Sequence, residues 1–228
     1  MPTAIVTGAS RGLGLALARQ LARDGWRLIV AARGAEALER TRAELSRLTE
    51  VVAVPGDVAD DEHRGMLVAT AGDRLDALVN NASTLGPSPQ PPLAHYPLAE
   101  LEHVYRVNVL APLALIQLAL PLLPSGGRIV NITSDAAVEP YAGWGGYGSS
   151  KAALEQLGNV LGVEHPELLV YTVDPGDMRT QLHQEAFPGE DISDRPEPEV
   201  SVPGLVRLLD GDLPSGRYLA RDLAAVPV

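Results

Sequence analysis

The chain has 228 residues, 46% hydrophobic and 21% charged, the size and composition of an ordinary globular domain with a proper core. Aromatics make up only 4%, so that core must be built from Ala, Val, Leu and Ile, and the lack of cysteine excludes disulfides, thiolate metal sites and cysteine nucleophiles. A formal charge of −11 argues against nucleic acid as a partner, because a phosphate backbone needs a basic face.

Short apolar runs alternate with helical patterns through the first 180 or so residues. Residues 4–6 read as a buried strand, followed by a glycine-rich turn and a helix in which Leu13, Leu17 and Leu21 recur up to Gly25. A second strand is expected at 27–31 and a helix at 36–48, then a strand at 51–54 ending in Gly56-Asp57-Val58. A helix at 61–71 leads to a strand at 77–79 and the run Asn80-Asn81-Ala82-Ser83. Two helical stretches follow at 98–107 and 109–122, then a strand at 128–133, a helix at 147–164 and a strand at 168–173. Strict alternation of β and α units calls for an α/β fold: one Rossmann-type doubly wound parallel sheet of about seven strands, helices on both faces, covering residues 1–228 as a single domain. Three breaker-rich segments, at about 83–97, 135–146 and 177–200, are expected to be the substrate loops. Within the last of them, residues 187–198 are acidic and Pro-rich and read as a mobile flap. The start of the chain lacks the pattern of a signal peptide, and no stretch reaches ~18 uninterrupted apolar residues. The nearest, residues 107–123, is broken by Asn108, Pro112, Gln117 and Pro121. A cytoplasmic protein without a membrane partner is the expectation.

The turn Thr7-Gly8-Ala9-Ser10-Arg11-Gly12-Leu13-Gly14 lies directly after the first strand and opens an amphipathic helix. A helix N-terminus offers unpaired N–H groups and partial positive charge, and glycines let the backbone approach a pyrophosphate. That context turns a weak three-glycine spacing into a candidate dinucleotide site. No acid stands at the tip of the second strand, where an NAD enzyme holds the ribose hydroxyl; Ala31-Ala32-Arg33 stands there instead. Arg33 and Arg11 would clamp a ribose 2′-phosphate from two sides, which favours NADP(H) over NAD(H). The plainer reading makes both arginines solvated surface residues, and Glu36, slightly past the expected position, is a rival ribose ligand.

Farther on, Tyr147-Gly148-Ser149-Ser150-Lys151 places a phenol and an amine one helical turn apart. A free tyrosine titrates near pH ~10, so a neighbouring cation is a physical means of making it a proton donor at neutrality. Ser134, thirteen residues upstream at the end of a buried strand, is placed to hold a substrate oxygen near that phenol. It could equally be a turn hydroxyl or helix cap, a role open to Asp135 as well.

The spacing Gly8, Gly12, Gly14 resembles the Thr-Gly-x-x-x-Gly-x-Gly pattern of the short-chain dehydrogenase/reductase family, and the resemblance runs almost end to end. It implies that Asn108, Ser134, Tyr147 and Lys151 are a catalytic tetrad, with Asn108 interrupting its helix and holding a water of the proton relay through its carbonyl. The bland alternative for Asn108 is satisfaction of backbone near Pro112. The resemblance also implies cofactor contacts from Ser10 and Leu13 in the turn, from Asp57 beside the adenine with Val58, and from Asn81 and Ala82. Tyr147 and Lys151 would touch the cofactor too, and Pro175, Gly176 and Thr180 would cover the nicotinamide. Ser83 departs from the pattern, which has glycine there.

The leading expectation is an NADPH-dependent carbonyl reductase that also runs as an alcohol dehydrogenase on a small molecule. A dinucleotide-binding regulator with little turnover is the second reading; a nucleotide-sugar epimerase is disfavoured by the short C-terminal part. Relatives commonly pair through the two long helices here at 109–122 and 147–164, so a homodimer or homotetramer is expected. The five histidines show no metal spacing; His183, near the flap, could touch substrate, but the plainer expectation is that it is exposed. Tyr141, Trp144 and Phe187 are candidates for an apolar pocket wall.

Overall fold

A computed structural model describes residues 1–224. Seven parallel strands form one sheet in the order β3-β2-β1-β4-β5-β6-β7: β1 (Thr3–Thr7), β2 (Arg27–Ala32), β3 (Val51–Pro55), β4 (Ala77–Asn80), β5 (Arg128–Ile132), β6 (Leu169–Asp174) and β7 (Gly216–Leu219). The strands are apolar on both faces because both faces are covered. In β1, Ala4 and Val6 join one core layer and Ile5 the other; Leu28 and Val30 against Ile29 in β2 repeat the alternation. The first layer packs under α1 (Gly12–Arg23), α2 (Ala35–Leu45) and α8 (Val202–Asp210); the second lies under α3 (Asp61–Ala69), α5 (Ala111–Ala119) and α6 (Gly145–Glu164).

The strand order reverses between β1 and β4, and there the two strand ends are laced together. Thr7 Oγ1 accepts the N–H groups of Asn81 and Ala82, both at 3.0 Å, and donates to Val79 O at 3.2 Å. Asn81 Nδ2 donates back to Thr7 O at 2.8 Å. A crevice at the carboxyl ends of the strands follows from that reversal. Gly8, at φ +68°, turns the chain there, and a Cβ on Gly14 would stand 2.4 Å from Gly8 O. The first turn of α1 therefore sits directly on the loop that feeds it.

The stretch read as two helices is one rod, α4 (Leu98–Tyr105), a π turn (Arg106–Leu110), α5 and a 3₁₀ turn (Leu120–Leu122). Its cause is Pro112, which has no N–H for the carbonyl four residues back, that of Asn108, and whose ring crowds it. The helix widens by one residue, and Ala111 N bonds Arg106 O. Among the described residues this rod, Leu98–Leu122, is the only helix long and apolar enough to cross a membrane. Half of its most apolar window is buried in the protein, with Leu115, Ile116 and Ala119 packed on the sheet.

The C-terminal part carries elements that the sequence pattern left unassigned. They are α8, whose Leu205, Leu208 and Leu209 complete the first core layer, the short edge strand β7, and α9 (Ala220–Ala224).

Replacing Gly14 by alanine must push α1 off the turn; a loss of about 1–3 kcal/mol is expected from urea unfolding of the ligand-free protein. An unchanged unfolding midpoint would contradict the close approach.

Candidate active site

Along the carboxyl edge of the sheet lies a cleft of ≈ 800 Å³. Of the catalytic and cofactor candidates singled out from the sequence, all line it except Asn108, which lies behind its wall, and Gly14, which packs on the Gly8 carbonyl. The glycine turn, with Ser10, Arg11 and Leu13, forms one end, and Ala32, Arg33 and Gly34 at the tip of β2 form its outer corner. Asp57 and Val58 sit beside them after β3, where Asp57 Oδ1 accepts Ala59 N at 2.9 Å and Val58 is buried. This half fits a dinucleotide. Glycine at 8 and 14 leaves backbone where a Cβ would collide, and Arg11, Gly12 and Leu13 at the opening of α1 line the cleft. Arg33 is exposed. Glu36, the rival ribose ligand, is absent from the cleft lining and pairs with Arg40 along α2 at 2.6 Å. The guanidinium of Arg11 reaches Gln181 across the cleft.

The catalytic candidates converge where β5, α6 and the π turn meet. Tyr147 and Lys151 lie on the first turns of α6 and are both buried, with the Lys151 ammonium 5.4 Å from the Tyr147 ring centre. Lys151 is the only lysine in the chain. Its Nζ donates to Ile132 O at 2.8 Å, and desolvation lowers its pKa to about 7. Burial also raises the Tyr147 phenol well above its usual value; the nearby Ser134 and Ser83 hydroxyls, able to turn to a phenolate, pull it part of the way back, and the charges of Asp135 and Asp174 push it farther up. The expectation that the lysine cation draws the phenol toward neutrality is thus outweighed by desolvation in the ligand-free protein.

Asn108 is nearly inaccessible, and its side chain is fully used. Nδ2 donates to Thr84 O at 2.9 Å and Ser150 Oγ at 3.0 Å, while Oδ1 accepts Thr84 N at 2.9 Å and Ser83 Oγ at 3.1 Å. It therefore pins the loop after β4 to α6, and with Pro112 in place its main-chain carbonyl lacks its ordinary helical donor. Ser83, in place of the pattern's glycine, has an unstrained backbone, since no non-glycine residue has positive φ among the described residues. Its hydroxyl donates to Asn108 Oδ1 at 3.1 Å.

The far wall is the segment after β6. Pro175, Gly176 and Thr180 line the cleft, and Thr180 Oγ1 caps α7 (Gln181–Ala186) by accepting His183 N at 3.2 Å. The segment read as a loose flap is held at several points: Arg179 N bonds Pro196 O at 2.8 Å and the Arg179 side chain pairs with Glu197. His183, expected to be exposed, is buried. Its ring stacks on Phe187 at 4.9 Å, and Nε2 accepts from Arg195 Nε at 3.4 Å. Trp144 lines the cleft, 5.8 Å from the Tyr147 ring and 5.9 Å from Phe187, with Tyr141 behind it at 6.2 Å. Sequence reasoning named the aromatic trio but left Asp135 as a mere cap. Its carboxylate takes the Ser134 hydroxyl at 2.9 Å and the Tyr141 hydroxyl at 2.9 Å, and a carboxylate next to Ser134 was the signal available. No group of three or more His, Cys, Asp or Glu side chains suited to a metal occurs among the described residues.

A sequence profile of short chain dehydrogenase matches residues 2–191. The chain is 38% identical over 175 residues to a rhamnolipids biosynthesis 3-oxoacyl-[acyl-carrier-protein] reductase of Pseudomonas aeruginosa, covering 71% of this chain and 66% of the relative. It is 34% identical over 187 residues to a serine 3-dehydrogenase of Agrobacterium fabrum, covering 79% and 73%. A crystal structure of a short chain dehydrogenase from Shigella flexneri complexed with NADP superposes with a TM-score of 0.87 at 29% identity, covering 96% of this chain and 97% of that one. With the seven-stranded parallel sheet and the Tyr–Lys pair in the cleft at its carboxyl edge, these likenesses are decisive: the chain belongs to the short chain dehydrogenase family of oxidoreductases.

Proposed function

We propose that the chain acts as one dinucleotide-binding unit, an NADP(H)-dependent carbonyl reductase that also runs as an alcohol dehydrogenase. The observation that carries this reading is the convergence of Ser134, Tyr147 and Lys151 on one wall of a cleft whose other end is a glycine turn flanked by two arginines.

When bound, the nicotinamide supplies the hydride to the carbonyl carbon or takes it from the alcohol. The protein supplies the rest. Ser134 positions the substrate oxygen, and Tyr147, kept protonated by burial, gives its phenolic proton to that oxygen as negative charge develops. Lys151, with an amine lowered to about 7, regains charge beside the phenol and stabilises the phenolate left behind. It also holds the nicotinamide ribose, and the Asn108 carbonyl, short of its helical donor, holds a water through which the proton is replaced. Running in reverse, Tyr147 must lose its proton first, so oxidation is favoured at high pH and reduction at neutral pH.

Preference for the phosphorylated cofactor rests on Arg33 and Arg11 at the outer corner, on Glu36 being turned away to Arg40, and on the NADP complex of the Shigella relative. The names of the two curated relatives, one acting on 3-oxoacyl carrier protein and one on serine, do not point to a common substrate. The substrate assigned here is a small carbonyl compound or alcohol, bound against Trp144. A second copy pairs with the first through α5 and α6, on which Leu118, Val160 and Val163 are exposed.

Alanine at Arg33 or Arg11 is expected to weaken NADPH binding by about tenfold, the worth of a charge-assisted hydrogen bond to phosphate, with NADH binding unchanged. Isothermal titration calorimetry with both cofactors checks this; a wild-type preference for NADH would overturn it. Tyr147→Phe is expected to lower the reduction rate by about a hundredfold or more, the usual worth of a general acid, while cofactor affinity stays within about threefold. Steady-state reduction of a ketone and aldehyde panel reads the first and fluorescence titration the second. Turnover surviving the substitution would refute the proton-donor role. A protein that binds cofactor but reduces nothing in the panel would favour the regulator reading.

A further inference from the structure

Within that reductase reading, we propose that Asp135 sets the substrate class: the chain prefers carbonyl compounds bearing a hydroxyl or ammonium on the carbon next to the carbonyl.

A hydroxyl has one proton to give. Ser134 Oγ lies 2.9 Å from Asp135 Oδ1 and accepts the N–H of Ala136 at 3.2 Å, so while Tyr147 beside it keeps its own proton, the serine proton goes to the carboxylate. Charge-assisted acceptance of this kind is about twice as strong as acceptance by a neutral oxygen. Asp135 Oδ2 is taken by the Tyr141 hydroxyl at 2.9 Å. As it stands, Ser134 presents an acceptor to the cleft, whereas a carbonyl oxygen needs a donor. A ketone with no other polar group must draw the proton away from Asp135 and leave the carboxylate short of a donor.

A hydroxyl or ammonium next to the carbonyl removes that conflict. Oδ1 is one hydrogen-bond length from Oγ, so a donor on the adjacent carbon falls between the two when the carbonyl oxygen faces Ser134. It replaces Ser134 on the carboxylate, and the freed serine proton turns to the carbonyl. The charge around Asp135 suits such a group. Asp135 has no salt-bridge partner among the described residues; Arg179 of the opposite wall is paired with Glu197, and Arg195, outside the lining, with Asp194 and Asp177. Asp174 and Asp177 line the same cleft but are offset by Arg217 and Arg195, so it is the unpaired Asp135 that makes an ammonium welcome and repels a carboxylate at that position.

Asp135 also accepts Ala136 N at 2.8 Å, which would be its whole role if it only caps the turn at Asp135–Ala137. A matched pair of substrates separates the two. With NADPH, the wild type is expected to reduce 1-hydroxy-2-butanone with kcat/KM about tenfold above that of 2-butanone, and Asp135→Ala to bring the two within about twofold. The collapse comes from loss of the hydroxyketone while the plain ketone holds or gains. Tyr141→Phe, on an exposed ring, takes the other donor from the carboxylate and is expected to widen the wild-type ratio. Equal losses on both substrates in Asp135→Ala, or a ratio that neither substitution moves, overturn the proposal. Should the wild type reduce neither ketone, the reductase reading fails by itself, and binding still tests Asp135. Trp144, 5.8 Å from the Tyr147 ring, reports by fluorescence on 1,2-butanediol and 2-butanol added to the NADP⁺-loaded protein. The diol must bind more tightly in the wild type and lose that advantage in Asp135→Ala; equal affinities in the wild type contradict the proposal.

Discussion

The constraint on which the site depends is the burial of one amine. Lys151 sits under α6 with its ammonium on the Ile132 carbonyl, the last of β5, and has lost nearly all contact with water. Desolvation disfavours its charge, and only a position fixed between helix and strand end keeps it there. The same packing buries Tyr147 one turn earlier and raises its phenol. Everything nearby braces this arrangement: Asn108 ties α6 to the loop after β4 through Ser150, and Ser150 in turn donates to Tyr147 O at 2.6 Å. In a chain whose other side-chain cations, histidine aside, are all arginine, the one residue able to change charge near neutrality by burial stands next to the phenol.

Much of this was legible from residue spacing. Period-two alternation and near-continuous apolar runs mark the strands of a covered parallel sheet, and the first six appear close to where the pattern puts them. The glycine turn was legible because glycine at 8 and 14 answers a steric demand that no other residue meets. The π turn at Asn108 was legible only in part. Two helices were expected on either side of it, whereas Pro112 widens one continuous helix instead of ending it.

The misses have physical causes too. The strand β7 is four residues long with every residue half-buried, too short and too weakly patterned to register. The acidic, Pro-rich segment before α8 reads as a solvated flap because composition reports on average exposure, while ion pairs between distant residues hold it in place. His183 is buried there by partners that lie on either side of it in the chain, Asp177 and Arg195. Asp135 was passed over since a carboxylate beside a turn is ordinary; its meaning comes from where the Ser134 proton goes, and only geometry reveals that.

The solitary lysine makes the central claim directly measurable. Protein grown with ¹⁵N-labelled lysine carries one side-chain ammonium signal, that of Lys151, and its titration can be followed in the ligand-free protein by NMR. Burial beneath α6 predicts a midpoint about 7, where the amine loses its proton. A midpoint near the ordinary lysine value of ~10.4 would mean that the amine is solvated, and the account of the site built on its burial would be wrong.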